Sequence, residues 1–126
     1  MADRRRVLIV DDSATECSVI DKILRSCGFV EIEALQDGEA ALERVRAVRF
    51  DIVICDWEMA AMSGGDMLNR ARQLTSARNT QFILMSAKKD MDWVVAARKA
   101  GAGGLIAKPF TADTLKHKID QLTLVH

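Results

Sequence analysis

Short apolar runs alternate with longer amphipathic stretches along the chain. Four runs of three or four apolar residues are followed by polar residues; they are Val7–Val10, Ile52–Cys55, Phe82–Met85 and Leu105–Ala107. Runs of this length and composition are typical of strands buried on both faces of a parallel sheet. A further segment, Val30–Leu35, alternates apolar residues with Glu31 and Glu33 and is also expected to be a strand. The pattern predicts five strands.

The stretch after the first run carries the signals of a helix start. Ser13 and Glu16 have the spacing of a capping box, in which the Ser13 hydroxyl and the Glu16 carboxylate both satisfy amides of the first turn. Apolar residues then recur at helical spacing up to Cys27, and Gly28 is placed to end the helix.

The later stretches repeat this plan. Candidate helix caps are Asp37, Asp90 and Thr111, and a third helix is expected from about Gly65 to Leu74. Alternation of strands and helices predicts an α/β fold with a parallel sheet and helices on both faces, built from five βα units. We expect one domain over residues 1–126, since no linker or low-complexity segment interrupts the pattern.

Composition narrows the class of protein. Eighteen basic and 18 acidic residues balance to a net charge of zero, which argues against a nucleic-acid-binding domain. The sequence lacks a run of ~18 apolar residues, so we expect no membrane-spanning helix, and the first residues do not form an apolar signal segment. The three cysteines, Cys17, Cys27 and Cys55, lack metal-ligand spacing and favour a reducing, cytoplasmic setting.

Five polar residues follow the apolar runs and form the candidate site. They are Asp11, Asp12, Asp56, Ser86 and Lys108. Ligands of open α/β sheets bind beyond the carboxyl ends of the strands, so these side chains are expected to meet at one edge. Each alone is equally typical of a helix cap, a turn or a solvated surface; their joint placement favours a functional site.

Three carboxylates held together repel one another unless a cation joins them. The Lys108 ammonium supplies one positive charge, and Mg²⁺, a hard cation with oxygen ligands, suits the rest. A carboxylate nucleophile, a divalent cation, an ammonium and a hydroxyl are the parts needed for phosphoryl transfer to a carboxylate.

The chain resembles the response-regulator receiver family, and most closely its single-domain, CheY-like members. The matching segments are Val7–Asp12, Asp51–Met59, Met62–Gly64, Leu84–Ala87 and Lys108–Ala112. The resemblance implies a flavodoxin-like, doubly wound three-layer sandwich with strand order 2-1-3-4-5. It also implies a response regulator of a two-component system, a signalling switch rather than a metabolic enzyme.

The resemblance further implies the roles of individual residues. Asp56 would take a phosphoryl group from a histidine kinase, and Ser86 and Lys108 would contact that group. Mg²⁺ would be bound by Asp12 and Asp56 directly, by Asp11 through water, and by the backbone carbonyl of Glu58. The Lys108–Pro109 peptide bond would be cis.

Three departures from the family pattern bear on regulation. Ala60 stands where a proline is frequent, which predicts a looser loop. Leu105 replaces the usual aromatic residue near the last strand, so the switch would depend on movement of the loop from Ser86 to Asp90. Glu58 and Lys88 flank the expected phosphoryl position and would pair, hinder the attacking water and slow dephosphorylation.

Other functions fit less well. A haloacid-dehalogenase-like hydrolase would need an Asp-x-Asp motif and usually a cap domain, a flavodoxin would need a hydroxyl-rich phosphate loop, and a pseudo-receiver normally lacks a site residue. The expected partners are a histidine kinase and a downstream protein, such as a flagellar motor component or another kinase. We expect a monomer that binds no nucleic acid and inserts into no membrane.

Overall fold

The computed structural model describes residues 2–124. Five parallel strands form one sheet in the order β2-β1-β3-β4-β5, which confirms the flavodoxin-like doubly wound fold. The strands are β1 Asp3–Val10, β2 Phe29–Leu35, β3 Ile52–Asp56, β4 Gln81–Ser86 and β5 Gly104–Ala107. The helices are α1 Ala14–Ser26, α2 Gly38–Ala47, α3 Gly64–Ala71, α4 Asp92–Lys99 and α5 Ala112–Leu124, with a short 3₁₀ turn at Thr75–Ala77.

Alternate side chains of the strands build two separate cores. In β1, Leu8 and Val10 pack on the side of α2, α3 and α4, while Val7 and Ile9 pack on the side of α1 and α5. All four are fully buried. This two-sided burial explains why the central strands β1, β3 and β4 contain unbroken apolar runs, and it gives the three layers that the pattern predicted.

The expected caps are largely present. The Asp37 carboxylate accepts the amide of Glu39, and the Thr111 hydroxyl accepts the amide of Thr114. At α4 the prediction was only partly right: the Asp90 carboxylate accepts the amide of Asp92, but the helix begins at Asp92 after Met91, which offers no side-chain cap.

The third helix is shorter than expected. It was predicted from about Gly65 to Leu74 but spans Gly64–Ala71. The amide of Leu74 bonds the carbonyl of Ala71, three residues back, so the chain tightens and leaves the α-helical path. None of the helices within residues 2–124 is long and apolar enough to cross a membrane.

Candidate functional site

The sheet brings the predicted polar residues to the carboxyl ends of neighbouring strands. β3 pairs with β1 on one side and with β4 on the other, and β5 follows β4. Asp11 and Ser86 are fully buried, Asp56 is 5% exposed, and Asp12 is exposed. Buried polar side chains are rare without a partner or a function, so this edge is the candidate active site.

The turn after β1 places the first two acids. The Asp11 amide donates to the Leu35 carbonyl at 3.1 Å, and Asp11 Oδ1 accepts the Ser13 amide at 2.9 Å. Ser13 Oγ accepts the Glu16 amide at 3.2 Å, which confirms the hydroxyl part of the expected capping box. The chain therefore turns at Asp11 with one carboxylate oxygen still directed to the site.

Asp11, Asp12 and Asp56 form an acidic cluster. Each offers one carboxylate oxygen, and these three oxygens lie within 4.8 Å of one another. Asp56 Oδ1 is buried and no hydrogen-bond donor among the described residues reaches it in a suitable geometry. A buried carboxylate oxygen with an unused lone pair, beside two further carboxylates, fits a hard divalent cation such as Mg²⁺.

Lys108 lies among three carboxylates. Its Nζ is 2.7 Å from Glu16 Oε2, 2.9 Å from Asp56 Oδ1 and 3.3 Å from Asp11 Oδ2, and its side chain is 14% exposed. The contact with Asp56 is an ion pair without hydrogen-bond geometry. The predicted proximity of the amine to the acceptor carboxylate is present.

Glu16 was assigned wrongly from the sequence. The capping-box spacing predicted that its carboxylate would bond back to the start of α1, but the carboxylate accepts a hydrogen bond from Lys108 instead. A lysine 92 positions away in the sequence satisfies this acid, and a spacing rule within one helix carries no signal for such a contact. Glu16 is the one site residue that the sequence analysis missed.

Burial and charge shift the site's protonation equilibria. Burial raises the pKa of Asp56 to about 6, with Asp11 and Glu58 adding to the effect and Lys108 opposing it. Burial also raises the pKa of Asp11. Burial alone would lower the pKa of Lys108, but its contacts with Glu16 and Asp56 outweigh this and raise it, so the ammonium stays charged.

The Ser86 hydroxyl is hydrogen-bonded to Glu58. Ser86 Oγ donates to Glu58 Oε2 at 2.6 Å, the Ala87 amide donates to Glu58 Oε1 at 3.2 Å, and the Lys88 amide donates to Ser86 Oγ at 3.0 Å. The expected ion pair between Glu58 and Lys88 is not formed among the described residues, because the Glu58 carboxylate is taken by Ser86 and Ala87.

Two glycines let the loop after Asp56 fold back on the strand end. A Cβ on Gly64 would lie 2.4 Å from the Asp56 carbonyl oxygen, and one on Gly65 would lie 2.8 Å from the Trp57 ring. The Gly64 amide donates to the Trp57 carbonyl at 2.9 Å. Close approach of α3 to β3 therefore requires glycine at position 64, and Gly65 leaves room for the Trp57 ring.

The backbone amide of Ala60 makes a hydrogen bond that a proline at this position could not make. Its amide donates to Asp12 Oδ2 at 3.3 Å, tying the loop to the exposed acid of the cluster. Proline has no N–H to donate. The looser loop stays a prediction, and the structure adds a contact between this loop and a candidate metal ligand.

The last strand carries the remaining predicted features. Leu105 lies on β5 beside Leu84 and is partly buried against the core on the side of α2, α3 and α4. The Lys108–Pro109 bond is cis, as the family resemblance implied. The Lys108 amide donates to the Ser86 carbonyl at 2.8 Å, which joins the two strand ends that bear the hydroxyl and the ammonium.

Comparison with known proteins is consistent with this geometry. The family model for the response regulator receiver domain matches residues 7–120. The Chemotaxis protein CheY of Pseudomonas aeruginosa is 34% identical over 117 residues, which cover 93% of this chain and 94% of that protein. Among solved structures, CheY4 of Vibrio cholerae has a TM-score of 0.88 at 27% identity, covering 95% of this chain and 99% of its own.

A second solved structure of a similar protein contains Mg²⁺. The response regulator TrrA of Thermotoga maritima was solved in complex with Mg²⁺ and BeF. It has a TM-score of 0.82 at 29% identity, covering 94% of this chain and 98% of its own. Mg²⁺ is therefore found with a structurally similar protein.

Proposed function

The chain belongs to the response regulator receiver family, and on that premise we propose that it is a phosphorylation switch in which Asp56 accepts a phosphoryl group from a histidine kinase. The main support for this proposal is the environment of the Asp56 Oδ1 atom. That oxygen is buried without a hydrogen bond, 2.9 Å from the Lys108 ammonium and within the cluster formed with Asp11 and Asp12.

The acidic cluster is proposed to hold Mg²⁺. Asp12 and Asp56 would bind the ion directly, Asp11 through a water molecule, and Glu58 through its backbone carbonyl. The bound ion would neutralise part of the charge that builds up on the phosphoryl oxygens during transfer. Three carboxylates contact the one Lys108 ammonium, and Asp12 adds a further carboxylate to the cluster, so the site needs further positive charge before a phosphoryl group can approach.

In the transfer step, a carboxylate oxygen of Asp56 attacks phosphorus. A phosphorus–oxygen bond forms while the bond from phosphorus to the histidine nitrogen of the kinase breaks, and the imidazole leaves with the electron pair. The Lys108 ammonium pairs with the phosphoryl oxygens. Because Nζ also donates to Glu16 at 2.7 Å, Lys108 exchanges this carboxylate for the phosphoryl group.

Ser86 is proposed to report the phosphoryl group. Its hydroxyl donates to Glu58 in the unmodified protein, and after transfer it would donate to a phosphoryl oxygen instead. Asp56 phosphorylation adds about one to two negative charges, which favours this new acceptor. With Leu105 in place of an aromatic side chain, the loop from Ser86 to Asp90 would carry the change to the surface.

Glu58 and Lys88 are proposed to set the lifetime of the phosphoryl group. Once Ser86 turns away, the Glu58 carboxylate is free to pair with Lys88 and to obstruct the attacking water. Glu58→Ala and Lys88→Ala should each shorten the phosphoryl half-life, measured by loss of the added mass. An unchanged half-life in both variants would rule this role out.

The biological setting follows from the family. Receivers of the CheY type are signalling switches, and slow self-dephosphorylation is proposed here as a property of the switch. We propose that residues 1–126 act as a single-domain monomer in the cytoplasm. The partners would be a histidine kinase and a downstream protein, for which a flagellar motor component or a kinase is proposed because the curated relative named above is a chemotaxis protein.

The central test uses a small phosphodonor. Incubation with acetyl phosphate should add one phosphoryl mass in the presence of Mg²⁺ and none when Mg²⁺ is chelated. Asp56→Asn should abolish the gain, while Asp21→Asn, which removes a carboxylate on α1, should leave it unchanged. Phosphorylation of the Asp56→Asn protein to the same extent would sink the proposal.

A further inference from the structure

An open cavity of about 480 Å³ lies at the amino ends of the strands, away from Asp56. Its lining includes residues at or beside the starts of β3 and β4, such as Ile52 and Gln81. β3 rises about 3.3 Å per residue, so its first residue and Asp56 are separated by roughly 13 Å along the strand. The cavity is therefore distinct from the candidate active site.

Arginines from four separate segments line this cavity. They are Arg5 on β1, Arg49 before β3, Arg72 after α3 and Arg78 after the 3₁₀ turn, and the only acidic residue among the lining residues is Asp51. The chain as a whole has no net charge. A local excess of three positive charges therefore reflects placement by the fold and not a generally basic composition.

Two of these guanidinium groups are already matched by carboxylates. Arg5 makes a 2.6 Å ion pair with Asp3, and Arg49 lies 3.7 Å from Asp51. Arg72 and Arg78 have no carboxylate partner within residues 2–124. The cavity thus retains positive charge that the chain's own acids leave unpaired.

Arg72 is the more constrained of the two. Its guanidinium lies 4.7 Å from the centre of the Phe82 ring and donates to the carbonyls of Ala77, Thr80 and Gly101. An arginine has five N–H donors, so two remain for another acceptor. Half-buried charge without a counter-ion is costly, and an anion in the cavity would offset that cost.

We propose that this cavity binds a small phosphate-bearing anion with at least two negative charges. Guanidinium groups match phosphate oxygens through paired hydrogen bonds, and the volume suits a small molecule. Asn79 and Gln81 add polar side chains to the lining. The ligand is either a free oligophosphate or a nucleotide, which share this chemistry.

The test is calorimetric titration of the full chain with pyrophosphate and, separately, with ADP, both at low salt and without Mg²⁺. We expect saturable 1:1 binding. Equal affinities would assign the phosphate groups alone as the ligand, and tighter binding of ADP would assign a nucleotide. Absence of saturable binding for both probes would overturn the proposal.

Charge variants distinguish the cavity from other surfaces. Arg49→Gln combined with Arg78→Gln should weaken binding roughly tenfold, since two exposed charge-assisted contacts are lost. Asp51→Asn keeps a carbonyl acceptor for the Arg6 amide, which donates to it at 2.8 Å, and should strengthen binding. Arg46→Gln, outside the cavity, is the control. Equal weakening by the control and the double variant would place binding elsewhere and refute the site.

Discussion

The two ends of the same sheet differ in how completely their buried polar groups are hydrogen-bonded. At the amino end, the buried Thr80 hydroxyl donates to the Phe50 carbonyl at 2.6 Å, and Arg72 donates to the carbonyls of Thr80 and Gly101, each at 3.0 Å. At the carboxyl end, Asp56 Oδ1 is buried without a hydrogen bond. Hydrogen-bonded polar groups hold the fold together at one end, while at the other end Asp56 Oδ1 has only the ion pair with Lys108 and keeps a lone pair for binding.

The strongest test of this contrast is the stability of Asp56→Asn. A carboxyl pKa raised from 3.8 to about 6 by burial corresponds to a charge penalty of about 3 kcal/mol at neutral pH. We expect the variant to have a free energy of unfolding higher by up to about that amount without Mg²⁺. Urea denaturation followed by tryptophan fluorescence measures it.

Asp21→Asn serves as the stability control. Its carboxylate makes an exposed pair with Arg25 on α1, a contact worth less than about 1 kcal/mol. If Asp56→Asn were less stable than the wild type, the view of Asp56 as a destabilising buried charge would be wrong.

A variant at the amino end should shift stability in the other direction. Arg72→Met retains much of the apolar stem but removes three hydrogen bonds to backbone carbonyls, of which the Ala77 carbonyl keeps the Thr80 amide as a donor. We expect a loss of about 2 kcal/mol in the free energy of unfolding. The extent of phosphorylation by acetyl phosphate should not change, because no described contact of Arg72 reaches the site.

The matched control for Arg72→Met is Arg46→Met, at a largely exposed arginine with a 4.0 Å contact to Glu43. It should change stability little. A large loss of phosphorylation in Arg72→Met would contradict the separation of the two ends.

The pH dependence of stability tests the burial of Asp56 in the unmutated protein. The folded-state pKa of Asp56 is raised to about 6 from 3.8 by burial, so the folded protein binds more protons than the unfolded chain between these values. This contribution to stability is present below pH 3.8 and is lost as the pH rises through about 6. Burial raises the pKa of Asp11 as well, which acts with the same sign.

Without Mg²⁺, the free energy of unfolding should therefore increase by about 1 kcal/mol as the pH falls from 7 to 5. In Asp56→Asn this dependence should be much weaker. Denaturant titrations at several pH values compare the two proteins, and parallel curves would show that Asp56 is not the group responsible.

Glu16 allows a smaller test, on the rate of phosphorylation. Glu16→Gln keeps the reach of the side chain but removes the charge that holds Lys108 at 2.7 Å. We expect acetyl phosphate to react about fivefold faster. The Lys108 ammonium would leave residue 16 more easily to pair with the phosphoryl oxygens, and the site would repel the anionic donor less. Initial rates by mass spectrometry measure it.

Two variants separate the contact from the charge. Glu16→Asp keeps the charge but is one methylene shorter, so it weakens the hydrogen bond to Lys108. Glu43→Gln removes an exposed carboxylate elsewhere, whose side chain is 76% exposed, and should leave the rate unchanged. A slower reaction in Glu16→Gln would show that Glu16 positions Lys108 for transfer instead of competing for it.

The smallest expected effect concerns Ala60. Ala60→Pro removes the amide that donates to Asp12 Oδ2 at 3.3 Å and frees this carboxylate for the metal. We expect Mg²⁺ to bind about twofold more tightly, which a titration monitored by Trp57 fluorescence can detect. Ala61→Pro, at the next position, is the control, and weaker binding in Ala60→Pro alone would contradict the argument.

Sequence reasoning succeeded where a contact is local or where a pattern repeats. The hydrophobic pattern predicted all five strands; β1, β3 and β4 appear as continuous apolar runs because they are buried on both faces, whereas β2 carries Glu31 and Glu33 and is largely exposed or half-buried. The caps Asp37 and Thr111 were also identified, since a cap bonds amides two or three residues away.

It failed where a distant residue competes for a side chain. Glu16 satisfies the spacing of a capping box, but a charged hydrogen bond to Lys108 in a partly buried site replaces that role. Glu58 was expected to pair with Lys88, yet in the unmodified protein the fully buried Ser86 hydroxyl donates to the Glu58 carboxylate. Helix ends also escaped prediction: α3 stops at Ala71, where the turn tightens.

The sequence by itself determined the layers, the strand ends and the types of side chain at those ends, because periodicity and capping act over a few residues. Tertiary structure decided which of those side chains touch. The 2.9 Å approach of Lys108 to Asp56, the capture of Glu16 and the gathering of arginines at the far end all depend on strands and loops distant in the chain. Only the packed sheet sets such distances, and electrostatic and hydrogen-bond energies depend on them steeply.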